Sequence, residues 1–216
     1  ASGNEKSVEL LLPKSDVNAT SDDGETALMA AAGSGNEKSV ELLLPKSDVK
    51  ASSNRGYTAL MKAARSGNEK SVELLLPKSD VKATDNHGNT ALMYAARYEN
   101  EKSVELLLPK SDVKATNKKG ETALDIAKLY GYHQIFSLLQ QHTPLMEAVM
   151  NNDVDLVKSL LANGNDVKAT NIFGQTALMI AAESGNEKSV ELLLPKSDVK
   201  ASSNHGYTAL MNAAES

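Results

Sequence analysis

The tetrapeptide Thr-Ala-Leu-Met, set two residues after a glycine, recurs at Thr26, Thr58, Thr90, Thr176 and Thr208. Gly24, Gly56, Gly88 and Gly120 stand 32 residues apart, and Gly174 and Gly206 repeat that interval. A fixed period of about 20–50 residues marks a stacked repeat architecture, in which each short unit buries its apolar face against the next copy. The 216 residues therefore count units rather than independent cores. Such a chain works by presenting a surface.

Read from Gly56, one unit predicts two helices and a turn. The first helix, about Thr58 to Arg65, is alanine-rich, with Leu60, Ala63 and Ala64 at helical spacing; Ser66-Gly67 breaks it and Asn68 is placed to cap the next. In the second helix Val72, Leu75 and Leu76 fall on one face, Glu69, Lys70 and Glu73 lie away from it, and Pro77 cannot continue the helix. Helices this short are marginal alone, because the cost of nucleation is recovered over too few hydrogen bonds, so stability has to be collective. Thr84, Asp85, Asn86, His87 and Gly88 form a turn-forming polar set whose glycine suits a hairpin-like finger between units.

These motifs resemble the ankyrin repeat. The family's Thr-Pro-Leu-His-x-Ala-Ala signature corresponds to Thr143-Pro144-Leu145-Met146-Glu147-Ala148-Val149 and, less literally, to each Thr-Ala-Leu-Met-x-Ala-Ala. Its Leu-Leu-x-x-Gly-Ala-Asp-Val-Asn-Ala appears from Leu160 to Ala169 and, one residue shorter, as Leu-Leu-Pro-Lys-Ser-Asp-Val-Lys-Ala elsewhere. The resemblance covers nearly the whole chain and implies an all-α ankyrin-repeat solenoid of stacked helix-turn-helix units with β-turn finger loops. Two departures stand out. Methionine replaces the signature histidine, so a side-chain hydrogen bond to the turn backbone has to be lost or replaced. Pro77 and its equivalents replace the usual glycine-based ending of the second helix.

The order of units is unusual. Residues 1–142 read as a half unit plus four units, the last cap-like, and 143–216 as two units plus a terminal half unit. The chain opens with a second helix (Asn4 to Leu12) and closes with a first helix (Thr208 to Ala214), so joining Ser216 to Gly3 recreates a full unit. Leu139 and Thr143 are separated by three residues where Leu76 and Thr90 are separated by thirteen. A circular permutant, a re-cut array or a numbering that starts partway round a polymer would each give this order. Rebuilding the parent order of about seven units within one chain would need ends tens of Å apart to meet, whereas three residues reach only about 10 Å. Either the stack continues through 142/143 without a finger, or half units pair between molecules, head-to-tail or swapped, into a homo-oligomer.

Several function classes are excluded. A net charge of -5, mixed in sign and without a long Lys/Arg run, speaks against nucleic acid. The chain has no cysteine, which removes disulfides, thiolate catalysis and zinc-finger spacings. No apolar stretch approaches a membrane span and no basic-then-apolar leader opens the sequence, so a cytoplasmic chain without a membrane partner is expected. Of the four histidines, His87 and His205 occupy one finger position in units far apart, which rules out a shared metal. No nucleophile–base pairing or Gly-rich phosphate loop is present, so neither catalysis nor a cofactor is expected.

Comparison among the copies separates scaffold from variable positions. Asn-Glu-Lys-Ser-Val-Glu-Leu-Leu-Leu recurs from Asn4, Asn36, Asn68, Asn100 and Asn186, whereas variation concentrates in the finger and the outer side of the first helix. The expected partner-binding residues are Arg55, Tyr57, Lys62, Arg65, His87, Asn89, Tyr94, Arg97 and Tyr98, followed by Phe173, Gln175, Ile180, His205 and Tyr207. Lys119, Glu121, Glu183 and Asn212 occupy corresponding positions. Four of the six tyrosines fall in this set, and Tyr, Phe and Arg are the types that anchor interfaces. The hot region is expected at Tyr57, Tyr94 and Tyr98 with Arg65 and Arg97, facing a mixed or acidic peptide. A non-catalytic scaffold that binds a protein or peptide is the reading, with end-to-end self-assembly as the alternative.

Overall fold

A computed structural model describes residues 3–215; Ala1, Ser2 and Ser216 lie outside the described residues, and with them the expected Ser216 junction and the side chain of Asn4. The chain is all-α, with fourteen α-helices and only two isolated β-bridges, Thr20 with Thr26 and Ser202 with Thr208, among the described residues. It divides into two compact units that meet in sequence at Leu139 and Gln140.

In the first unit the helices are α1 (Gly3–Leu11), α2 (Ala27–Ser34), α3 (Glu37–Leu43), α4 (Ala59–Ser66), α5 (Glu69–Leu75), α6 (Ala91–Arg97), α7 (Glu101–Leu107), α8 (Ala123–Tyr130) and α9 (His133–Gln140), the last ending at the boundary. First helices stack on first helices, α2 on α4, α4 on α6 and α6 on α8, and α3, α5 and α7 form a second row behind them. The second unit repeats the scheme with α10 (Pro144–Met150), α11 (Val154–Ala162), α12 (Ala177–Glu183), α13 (Glu187–Leu193) and α14 (Ala209–Glu215). Each unit has its own core, centred on Leu60, Met61, Leu75, Leu92 and Met93 in the first and on Leu145, Met146, Leu178 and Leu193 in the second.

Local chemistry explains the helix ends. Thr58 starts α4 as its N-cap, its hydroxyl accepting from the Met61 N–H at 3.3 Å, and Gly67 stops it at φ 72°. Asn68 caps α5 by accepting from the Ser71 N–H at 2.7 Å. The α-helix ends at Leu75, and Pro77 sits in a following 3-10 turn, Leu76–Lys78, where its missing N–H leaves no gap. The Ser79 hydroxyl closes this end by donating to the Leu75 carbonyl at 2.9 Å, which replaces the glycine ending still used after α11, where Gly164 has φ 74°.

The methionine in place of the signature histidine turns inward. Met29, Met61, Met93, Met146 and Met179 are all buried in the core. The Met93 and Met146 sulfurs each also accept weakly, at 3.5 Å, from the backbone N–H of Thr90 and Thr143. The turn hydrogen bond is thus partly replaced and the lost polarity becomes core volume.

Asparagine side chains tie successive copies together. The N-cap Asn100 donates to the Ala64 carbonyl at 2.7 Å, and Asn186 to the Val149 carbonyl at 2.7 Å. In the fingers Asn54 donates to Asp22 O, Asn86 to Asn54 O and Asn204 to Ile172 O, each at 2.9 Å. Backbone bonds run in parallel with these, from Asn86 N–H to Arg55 O and from Lys118 N–H to His87 O. The repetition of these asparagines follows from serving two neighbouring copies at once.

Candidate functional site

In the first unit the variable residues converge on the fingers and on the exposed flanks of α4 and α6. Each finger closes on itself: Asp85 N–H donates to Asn89 O, and Gly88 N–H to Asp85 O. The residue at this position also accepts the finger amides with its side chain. Asp85 takes His87 N–H at 2.9 Å and Asn89 N–H at 2.7 Å, Ser53 takes Tyr57 N–H, and Asn117 and Asn171 act alike in their own fingers.

Three expected contact residues are buried, which corrects their reading as exposed. Tyr94 is 6 % exposed, and Asn89 and Ile180 are similarly covered. The finger folds over the middle of the first helix, so a large side chain there packs beneath it. The Tyr94 hydroxyl donates to Asp85 at 2.5 Å and lies 3.2 Å from that of Tyr57, from which it can then accept. Asn89 donates to Asp85 and accepts from the Asn117 amide at 3.1 Å. Ile180 belongs to the second unit's apolar core. Tyr94 and Asn89 are thus struts that hold the fingers in place.

Asp85 is the hub of these struts. Burial pushes its carboxyl up, but the hydrogen bonds from Tyr94, Asn89 and His87 outweigh that and hold it below the ordinary value. Burial and the same carboxylate push the Tyr94 phenol upward, so it keeps its proton and serves as a donor. Sequence reasoning treated Asp85 only as a turn former. The available signal was that the copy with an acid at this position is also the one with tyrosine nine residues later.

The remaining residues form a surface of rings and cations. Tyr57 and Tyr94 have centroids 5.6 Å apart, and Tyr94 and Tyr98 stack at 6.4 Å. The Lys62 ammonium is 5.4 Å from the Tyr57 ring and pairs with Glu25; the Arg65 guanidinium is 5.0 Å from the Tyr98 ring. Arg97 approaches Glu121 at 3.9 Å. Arg55, Arg65, Lys118 and Lys119 form no ion pair among the described residues, and Arg55, Arg65, His87 and Tyr98 are exposed. Glu99, where the copy before it has Gly67, adopts φ 58°, a left-handed conformation that costs a side-chain-bearing residue about 1–2 kcal/mol. Asn152 takes the same conformation, φ 53°, at the equivalent position after α10, so this is a recurrent way of ending the first helix.

In the second unit Phe173, Gln175, His205 and Tyr207 line a groove together with Glu183 and Glu215. Phe173 and Gln175 are half-buried, and Gln175 donates to Glu183 at 3.0 Å. His142, near the start of this unit, is half-buried; burial lowers its pKa against the opposing pull of Glu147.

Paired antiparallel short helices, threonine-capped and separated by fingers whose glycines carry positive φ, define a helical-repeat protein with one variable face. The family of ankyrin repeats matches the chain three times, over residues 1–85, 72–144 and 145–216, and the chain belongs to that family. Members are generally protein–protein interaction modules and typically non-catalytic. No curated protein matches this sequence. No helix among the described residues is long and apolar enough to cross a membrane.

Proposed function

We propose that the chain is a non-catalytic scaffold that captures an acidic segment of a partner protein on the fingers and first helices of its first unit. The observation that carries this reading is Arg65 held over the exposed Tyr98 ring, with Arg55, Lys118 and Lys119 on the same variable face and without acidic partners. An arginine stacked on an aromatic ring is preorganised, so less freedom is lost when it meets a carboxylate. Peptides selected on the chain from a displayed library should be rich in Asp and Glu. Arg65→Glu or Tyr98→Ala should weaken the best of them at least tenfold by calorimetry, a hot-spot loss of about 1.4 kcal/mol or more. Lys70→Glu, on the far side of the second helix row, should leave affinity within twofold. Selection of basic or charge-neutral peptides would reject the reading.

A second reading, self-assembly through complementary half repeats, is supported by two apolar faces. Leu210 on α14 is 79 % exposed where Leu60 on α4 is 1 %, and Leu11 on α1 is 61 % exposed where Leu75 on α5 is 0 %. Inside each unit such faces cover one another, as α4 and α5 do. Light scattering on this 216-residue chain should show a molar mass that rises with concentration and falls back on Leu210→Asp. A mass fixed near 23.0 kDa at every concentration would eliminate this route.

A further inference from the structure

The last turn of the first helix differs in charge between the units: it carries Arg65 and Arg97 in the first but Glu183 and Glu215 in the second, while the finger tip is Asp23, Arg55, His87 and Lys119 in the first and Phe173 and His205 in the second. In the second unit these residues are not scattered. Phe173, Glu183, His205, Tyr207 and Glu215 share the lining of one groove of about 640 Å³, and no lysine or arginine contributes to its wall among the described residues.

From this we infer that the groove of the second unit takes a lysine or arginine side chain of a partner polypeptide. The inference rests on reading this face of the repeats as the binding surface. Two kinds of chemistry converge. Phe173 and Tyr207 come from successive fingers and put aromatic rings in the groove lining; an aromatic ring attracts a cation through the negative quadrupole of its face and covers the alkyl stem of Lys or Arg. Glu183 and Glu215 come from the ends of α12 and α14 and supply negative charge to the same lining. The Gln175 amide donates to Glu183, which anchors that carboxylate to the finger beside Phe173 and lowers the freedom it loses on binding. Asn204 N–H donates to Phe173 O at 2.9 Å, and the Asn204 amide to Ile172 O at 2.9 Å, so the spacing between the two fingers is fixed by the backbone. An acidic side chain would meet two carboxylates and no cation. A neutral one would fill the volume without answering the charge.

The test uses the whole chain, isotope-labelled, and three blocked pentapeptides Gly-Gly-X-Gly-Gly with X arginine, glutamine or glutamate. At low salt the arginine peptide should produce saturable shifts of the backbone amides of Phe173, Gln175, Glu183 and Tyr207. The glutamine peptide should bind at least fivefold more weakly and the glutamate peptide should not saturate. Glu183→Gln with Glu215→Gln should bring the arginine peptide to the level of the glutamine one while leaving amides of the first unit unmoved. Equal binding of arginine and glutamine peptides, no saturable shift with arginine, or an unchanged affinity in the double variant would each overturn the inference. Acidic-peptide binding at Arg65 and Tyr98 is read on separate amides, so its failure is distinguishable from failure here.

Discussion

Asp85→Ala should lower the unfolding free energy by about 3 kcal/mol, more than expected for a residue in a surface loop. The carboxylate is buried and accepts from the amides of His87 and Asn89, from the Asn89 side chain and from the Tyr94 hydroxyl. Alanine removes the acceptor and leaves the donors. A buried donor left without a partner costs about 1–3 kcal/mol, and the Tyr94 and Asn89 donors are both covered. Asp85→Asn keeps an oxygen for the finger amides and loses the charge-assisted bond from Tyr94, so it should cost about half as much. The pH dependence fixes the sign. The folded-state pKa of Asp85 is depressed, so its contribution is present above the unfolded value near 3.8 and is lost as pH falls through the folded value. The gap between wild type and Asp85→Ala in urea unfolding should therefore narrow on acidification below that range. Tyr94→Phe combined with Asp85→Ala should cost less than the sum of the two, since each removes the same bond. A loss under 0.5 kcal/mol at neutral pH would show that the finger is held by its backbone alone.

The elements legible in the sequence are those set by nearest-neighbour chemistry. Thr58, Asn68 and Gly67 mark helix ends because a cap or a left-handed stop acts over three or four residues, and the helices begin and end within a residue of where these signals place them. The family was legible for the same reason, since its signature is a set of local devices. Exposure around the first helix was not legible. Its outer position is occupied by Lys62, Tyr94, Ile180 and Asn212 in four of the copies, and whether that side chain meets water depends on how closely the finger lies over it. Lys62 stays half-exposed and pairs with Glu25, whereas Tyr94, Ile180 and Asn212 are covered. The finger's height is in turn set by Asn54, Asn86 and Asn204 reaching back to the preceding copy. Those bonds span 32 residues, and although the asparagines recur at one place in the repeat, the recurrence does not say which atom of the preceding copy they reach.

Finger spacing is where the second large effect is expected. Gly56→Ala should destabilise the chain by about 3 kcal/mol, and Gly120→Ala by only about 1 kcal/mol, although the two glycines have nearly the same backbone, φ 80° and 77°. The shared part is the left-handed conformation, which costs a residue with a Cβ about 1–2 kcal/mol. The difference is the neighbour. A Cβ on Gly56 would stand 2.9 Å from both Asn86 N and Asp85 Cα, while one on Gly120 would meet nothing within 4 Å. Those atoms are backbone and cannot swing aside as a side chain would. Asn86 is held to the same finger by its own N–H on Arg55 O at 3.0 Å and its amide on Asn54 O at 2.9 Å. Relief requires the two fingers to separate, which breaks both bonds and lifts Asp85 from Tyr94. Because Arg55, Tyr57 and His87 ride on these fingers, the variant should also lose affinity for acidic peptides, whereas Gly120→Ala should keep it. Urea unfolding of the two variants decides the point. Equal losses would mean that the finger stack yields freely, and that the surface carrying Arg65 and Tyr98 is set by the helices rather than by the ladder of asparagines between fingers.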